Sequence, residues 1–235
     1  MSTWADLRQV VIATTDPSGV AGELRAQLGL GRGFGDPELD AFGIADDTMA
    51  VGDHTYLEVV SPTTPDHPIA TWLSRRNGSA GYLLSVQVSD IDACLARCAE
   101  AGVRDTVRHV VQGWNVAQLH PGDMGGCSVE LDGLHERGRW FWDILDVDRP
   151  ASSKVDDIVA VEMAAADPDA LLTRWSTVFG LDADTASTSL SLGGRVVRFV
   201  HDTDRAGIAA VDLHAVDRDD VGRTFAAGNV RFRLV

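Results

Sequence analysis

One carboxylate stands out among the residues that could do chemistry. Glu58 sits inside the run Tyr56-Leu57-Glu58-Val59-Val60, which reads as an apolar strand ending at Pro62. An unpaired charge there is costly, so Glu58 needs either a partner or a task. The thiols are less telling. Cys94, Cys98 and Cys127 are an odd number without framework spacing, which implies reduced thiols and a cytoplasmic setting. Cys94 and Cys98 lie four apart on an expected helix and read as two small buried side chains. No Gly-x-Ser-x-Gly elbow and no phosphate loop opening a helix occur, and Cys127 lies in a strand rather than at a helix start.

Bulk composition narrows the field. The 235 residues suffice for one large or two small domains, and 45% apolar content supports a proper core. A formal charge of −15 repels nucleic acid and anionic membrane surfaces, and an anionic substrate would need a local cationic patch. Only Lys154 among the 20 basic residues is a lysine. Neither a signal peptide nor a spanning helix is expected.

The elements that must carry Glu58 repeat along the chain. Leu7 to Thr14 reads as a buried strand, and Asp16-Pro17 as a helix start. Ala41 to Ala45 and Thr48 to Val51 read as two short strands joined by Asp46-Asp47, and Thr55 to Val60 as a third. A second round follows: strand Tyr82 to Val88, a helix from Asp90 to Ala101 stopped by Gly102, then strands Val107 to Val111, Trp114 to Leu119 and Cys127 to Leu131. Both rounds read β-α-β-β-β. Gln9 stands seven residues before Asp16, and Leu83 seven before Asp90, so the two are equivalent. After an aromatic-rich bridge at 133–150, a third round begins at Ile158 to Ala164 and Asp167-Pro168. A fourth begins at Ile208 to Ala215, with a helix expected from about Asp217 to Ala227 and a last strand from Asn229 to Val235. That strand is expected at an open sheet edge, which a second chain in a homodimer could cover.

Five segments in order resemble the vicinal oxygen chelate superfamily, the family of glyoxalases, bleomycin resistance proteins and extradiol dioxygenases. They are Val51-Gly52-Asp53, Tyr56 to Pro62, Pro65 to Ala70, Val88 to Asp92, and His120-Pro121-Gly122-Asp123 with its continuation to Glu130. The look is that of methylmalonyl-CoA epimerase and glyoxalase-like members. The resemblance implies an α+β fold of tandem βαβββ modules pairing into a curved mixed sheet. It places a paired glyoxalase-like domain at 1–132 and a reduced, truncated copy at 151–235.

The resemblance also implies a divalent metal (Mg, Mn, Co, Ni or Zn) bound by Gln9, Glu58 and Glu130, which are hard oxygen donors. Leu83 departs from it, because the family has a histidine there. A base is expected on the second strand of the first module. Asp40 is the first choice, with Glu38 and Asp46 as candidates, and His120 lies at the rim. In the second copy Ala160 falls opposite Gln9 and Arg198 near the Glu58 position, and neither is a ligand. The implied function is metal-assisted proton transfer next to a carbonyl of a small-molecule substrate, as in a lyase or isomerase. The alternative is a metal-free binding or resistance-type sequestering protein.

Overall fold

The computed structural model describes residues 3–144, 148–150 and 152–235. Its fold is α+β, built from four modules. The first comprises β1 (Ala5–Thr14), α1 (Pro17–Leu28), α2 (Pro37–Ala41), β2 (Ile44–Ala50) and β3 (Tyr56–Pro62). Helix α3 (Pro68–Ser74) leads to the second: β4 (Ser79–Val88), α4 (Ile91–Glu100), β5 (Asp105–Val111), β6 (Trp114–Leu119) and β7 (Ser128–Asp132). Helix α5 (Phe141–Ile144) lies in the bridge, where Trp140, Phe141 and Trp142 are buried; Leu145 lies outside the described residues. The third module is β8 (Val155–Ala165), α6 (Pro168–Phe179), β9 (Ala183–Asp184), β10 (Ser189–Leu192) and β11 (Arg195–His201). The fourth is β12 (Gly207–Ala215), a 3-10 turn at Arg218–Asp220, β13 (Thr224–Ala227) and β14 (Val230–Leu234).

Two seven-stranded mixed sheets result, in the orders β2-β3-β1-β4-β7-β6-β5 and β13-β14-β12-β8-β11-β10-β9. The second copy is shorter in residues but not in strands. Every module opens the same way. Asp16, Asp90, Asp167 and Asp217 follow the first strand, and each side chain accepts a backbone N–H of the turn it caps.

The compact units cut across the order of the chain. One combines Met1–Arg8, Leu83–Asp146 and Val159–Ala209; the other combines Gln9–Tyr82, Val147–Ile158 and Ala210–Val235. In the first, α4 packs on α6. In the second, α1 packs on β2, β3 and β13. This corrects two expectations about the fourth module. The stretch from Asp217 to Ala227 is not a helix, because α1 already covers the apolar side of β13. Gly222, at φ +90, also interrupts any helical run there. The final strand is not an edge either, since β14 lies between β13 and β12. The open-edge argument for a homodimer therefore lapses.

The first module differs as well. Pro37–Ala41 is helical, with Asp36 as its cap, and the two expected short strands are one continuous strand, β2. Asp46 and Asp47 do not break it because each has a bonded role. Asp47 takes Arg25 of α1 at 2.6 Å, and both Asp46 carboxylate oxygens accept the Asp36 N–H at 3.0 Å.

Candidate functional site

Strand register sorts the polar residues of each unit by face. In the unit holding the first module, Val11 pairs with Glu58 across the parallel β1–β3 ladder, and Thr48 pairs with Glu58 across the antiparallel β2–β3 ladder. Side chains alternate along a strand, so Gln9, Glu58, Thr48 and Asp46 share one face. The opposite face carries Ile12 and Asp47, which look toward α1. The shared face is therefore the one left by the helix.

Gln9 and Glu58 are both buried, and the Gln9 amide donates to Glu58 Oε2 at 2.5 Å. A bond to a buried carboxylate contributes about 1.5–3 kcal/mol. Thr48 is fully buried, yet its hydroxyl has no hydrogen-bond partner among the described residues. Asp46 has its carboxyl pushed up to about 6, first by burial and then by its acidic neighbours Asp36, Asp47 and Asp40. The Asp36 N–H opposes the shift. Asp40 is exposed on α2 and is not on the second strand. It is Asp46 that occupies the strand position where a base was sought.

In the unit holding the second module, Ser85 pairs with Glu130 and Gln87 with Asp132 along β4–β7, and Gln118 pairs with Glu130 along β6–β7. Glu130 accepts from Ser85 Oγ at 3.1 Å and Gln118 Nε2 at 2.8 Å. Asp132 is fully buried, and neither carboxylate oxygen has a hydrogen-bond partner among the described residues. Burial, and then the charge of Glu130, holds its carboxyl well above the usual range against the pull of Arg8. Arg8 itself is buried and donates twice to Gln87 Oε1. Arg108 is paired with Asp105. Leu83 is buried and apolar. His120 caps a turn: its Nδ1 lies 3.0 Å from the Gly122 N and 3.1 Å from Arg104 Nη2. Cys94, Cys98 and Cys127 are buried, and burial raises all three thiols.

A divalent ion would draw its donors from these side chains. One unit offers a carboxamide and a carboxylate already bonded to each other. The other offers Glu130, whose two oxygens both accept hydrogen bonds, and a leucine where the family implies a histidine. Neither set by itself supplies the full shell of such an ion, and no group of three or more His, Cys, Asp or Glu side chains that could hold one occurs among the described residues.

Sequence comparison supplies the affiliation. The ethylmalonyl-CoA/methylmalonyl-CoA epimerase of Cereibacter sphaeroides is 31% identical over 130 residues, covering 54% of this chain and 96% of that protein. The chain belongs to the vicinal oxygen chelate superfamily. No family model matches it. Two solved structures share the fold through both sheets. A hypothetical protein from Staphylococcus aureus superposes with TM-score 0.68 at 9% identity, covering 98% of both chains. A mutant 4-hydroxymandelate synthase from Streptomyces coelicolor gives 0.67 at 14% identity, covering 92% of this chain and 72% of that one. Among the described residues no helix is long and apolar enough to cross a membrane.

Sequence reasoning did not single out Thr48, Ser85, Gln118 or Asp132. The signal was available for Asp132: in Ser128-Val129-Glu130-Leu131-Asp132, alternation puts it on the face of Glu130.

Proposed function

We propose that this member of the superfamily is an epimerase-type enzyme, moving a proton next to the carbonyl of a small acyl compound. Asp46 is the base. The observation that carries this is a carboxyl lifted to about 6, on the strand face shared with Glu58 and the unpartnered Thr48 hydroxyl. A base tuned toward neutrality is ionised at working pH and still accepts a carbon-bound proton usefully. The substrate's α-proton passes to an Asp46 oxygen, and the C–H electron pair moves into the carbonyl to give an enolate. The Thr48 hydroxyl is available to donate to the enolate oxygen. Glu58, a diagonal cross-strand neighbour at about 7–8 Å between backbones, returns its proton to the enolate carbon when it enters the cycle as the protonated acid, which leaves Glu58 ionised and Asp46 protonated until exchange with water resets both; Gln9 orients it. No step is drawn through a metal.

The relative's substrate class supplies the test. The chain is incubated with methylmalonyl-CoA in deuterated water, and the thioester is analysed by mass spectrometry. Incorporation of one α-deuteron by the native chain, abolished in Asp46→Asn, is the expected result. No incorporation at any pH from 5 to 9 sinks the reading. Buried Leu83, in place of the family's histidine, favours a second reading, metal-free sequestration of a small molecule. Under that reading the thioester raises the melting temperature without isotope exchange.

A further inference from the structure

The chain has one adjacent basic pair, Arg75-Arg76, and it lies in an acid-free stretch. Residues 67–89 contain neither Asp nor Glu, although 35 of the 235 residues are acidic. The pair stands at the end of α3, in the unit that holds Asp46. Arg75 is exposed and has no hydrogen-bond or ion-pair partner among the described residues. Arg76 is half-buried. Its guanidinium lies over the Trp72 ring, 4.0 Å from the centroid, and its Nη1 donates to the Trp72 carbonyl at 3.3 Å. Tyr82 meets the same indole edge-on at 5.3 Å.

Among the described residues no acid answers either charge. Burial, and then the like charge of Arg75, lowers the Arg76 guanidinium. The carboxyl end of a helix carries about half a negative charge. The bond to the Trp72 carbonyl draws on it, so about one and a half positive charges remain unmet. A guanidinium over a ring keeps its N–H groups in its own plane, where they meet the oxygens of a phosphate.

The turn that carries the pair is fixed. The Leu73 carbonyl accepts the Arg76 N–H at 2.8 Å and the Gly78 N–H at 3.1 Å, and the Gly78 carbonyl accepts the Thr15 N–H at 2.9 Å. The Asn229 side chain donates to the Ser79 carbonyl at 2.7 Å. A held backbone under unmet charges is preorganised for a ligand. The turn also bears a definite relation to Asp46. Asp46 pairs with Val60, two residues before β3 ends, and the Thr63 N–H donates to the Gly43 carbonyl beside β2 at 2.9 Å. Helix α3 starts just beyond that end of the two strands, and its seven residues run about 10 Å. An extended arm between an acyl group and a nucleotide spans such a distance.

We propose that Trp72, Arg75 and Arg76 bind the phosphate-bearing nucleotide end of an acyl thioester. Arg75 and Arg76 hold the phosphate oxygens. Trp72 fixes the plane of Arg76, whose outer face takes the base. Assigning the nucleotide to an acyl thioester rests on the proton-transfer reading; the binding of the nucleotide itself does not, and the site shares no residue with the proposed proton relay.

The test is calorimetric titration of the full chain with adenosine 3′,5′-bisphosphate, and separately with inorganic phosphate, at ionic strength held constant by chloride. Saturable binding of the bisphosphate is expected, with affinity reduced at least tenfold in Arg75→Gln. Arg75 is exposed, so this variant should fold, and a melting curve checks it. Arg76→Lys keeps the charge but loses the flat stack on Trp72, and should also weaken binding. No saturable binding of the bisphosphate, an unchanged affinity in Arg75→Gln, or inorganic phosphate binding as tightly as the bisphosphate overturns the proposal. Exchange into methylmalonyl-CoA without bisphosphate binding leaves the proton-transfer reading standing and removes this one. Bisphosphate binding lost in Arg75→Gln, in a chain that shows no exchange, upholds the nucleotide site and removes the proton-transfer reading.

Discussion

Replacing Asp46 by asparagine removes a titrating oxygen while keeping the shape of the side chain and its bond from the Asp36 N–H. With its carboxyl near 6 instead of 3.8, Asp46 is about one tenth ionised at pH 5, half at pH 6 and nine tenths at pH 7. If it is the base, α-proton exchange should climb about tenfold per pH unit below 6 and level off above 7. Loss of a general base typically costs ~10²–10⁴ in rate, so Asp46→Asn should fall by that much at pH 7.5. Stability should move the other way. A carboxyl whose folded value exceeds its unfolded value binds more protons when folded, so its charged form weakens the fold as pH rises from about 4 through 6. Asp46→Asn should therefore melt higher than the native chain at pH 8 and show little gain at pH 4. The assay is deuterium incorporation across a pH series, with melting curves at both ends. An exchange rate that is flat between pH 5 and 7, or a variant retaining full exchange, would falsify the assignment.

Three further outcomes are expected. Gln9→Leu takes the amide donor from buried Glu58 and should cost about 1.5–3 kcal/mol in urea unfolding at pH 7; an unchanged midpoint would mean that the bond carries no weight. Gly228→Ala forces a side chain onto φ +57 and puts its Cβ 2.4 Å from the Ile12 side chain, so a loss of about 1–3 kcal/mol is expected by thermal unfolding, and a neutral result would show that β1 and the β13–β14 turn yield freely. Dialysis against a chelator should leave both exchange and melting unaltered; exchange lost on dialysis and restored by one divalent ion would make Gln9, Glu58 and Glu130 metal ligands.

Much of the fold was legible because its signals are local. Apolar alternation marked most strands, and Asp-Pro or Asp-x-x starts marked the module turns. The cap-to-strand spacing made Gln9 and Leu83 equivalent before any contact was known. Glu58 and Glu130, the two carboxylates singled out, both accept side-chain hydrogen bonds from their own modules. The errors cluster where a polar residue is satisfied from far along the chain. Asp46 and Asp47 read as a strand break, and only their bonds to Asp36 and Arg25 make the strand continuous. The stretch from Asp217 to Ala227 read as a helix, because nothing local reports that α1 covers β13.

The sequence by itself determined the period of the repeat, the aspartate that opens each module, and the face on which each strand residue lies. These depend on neighbours within a few positions and on backbone geometry common to all strands. Tertiary structure alone decided three things. It grouped the first module with the fourth and the second with the third. It brought the Gln9 amide onto Glu58. And it raised Asp46 and Asp132 by burial, because desolvation depends on every element that excludes water from a group, and no stretch of sequence contains that sum.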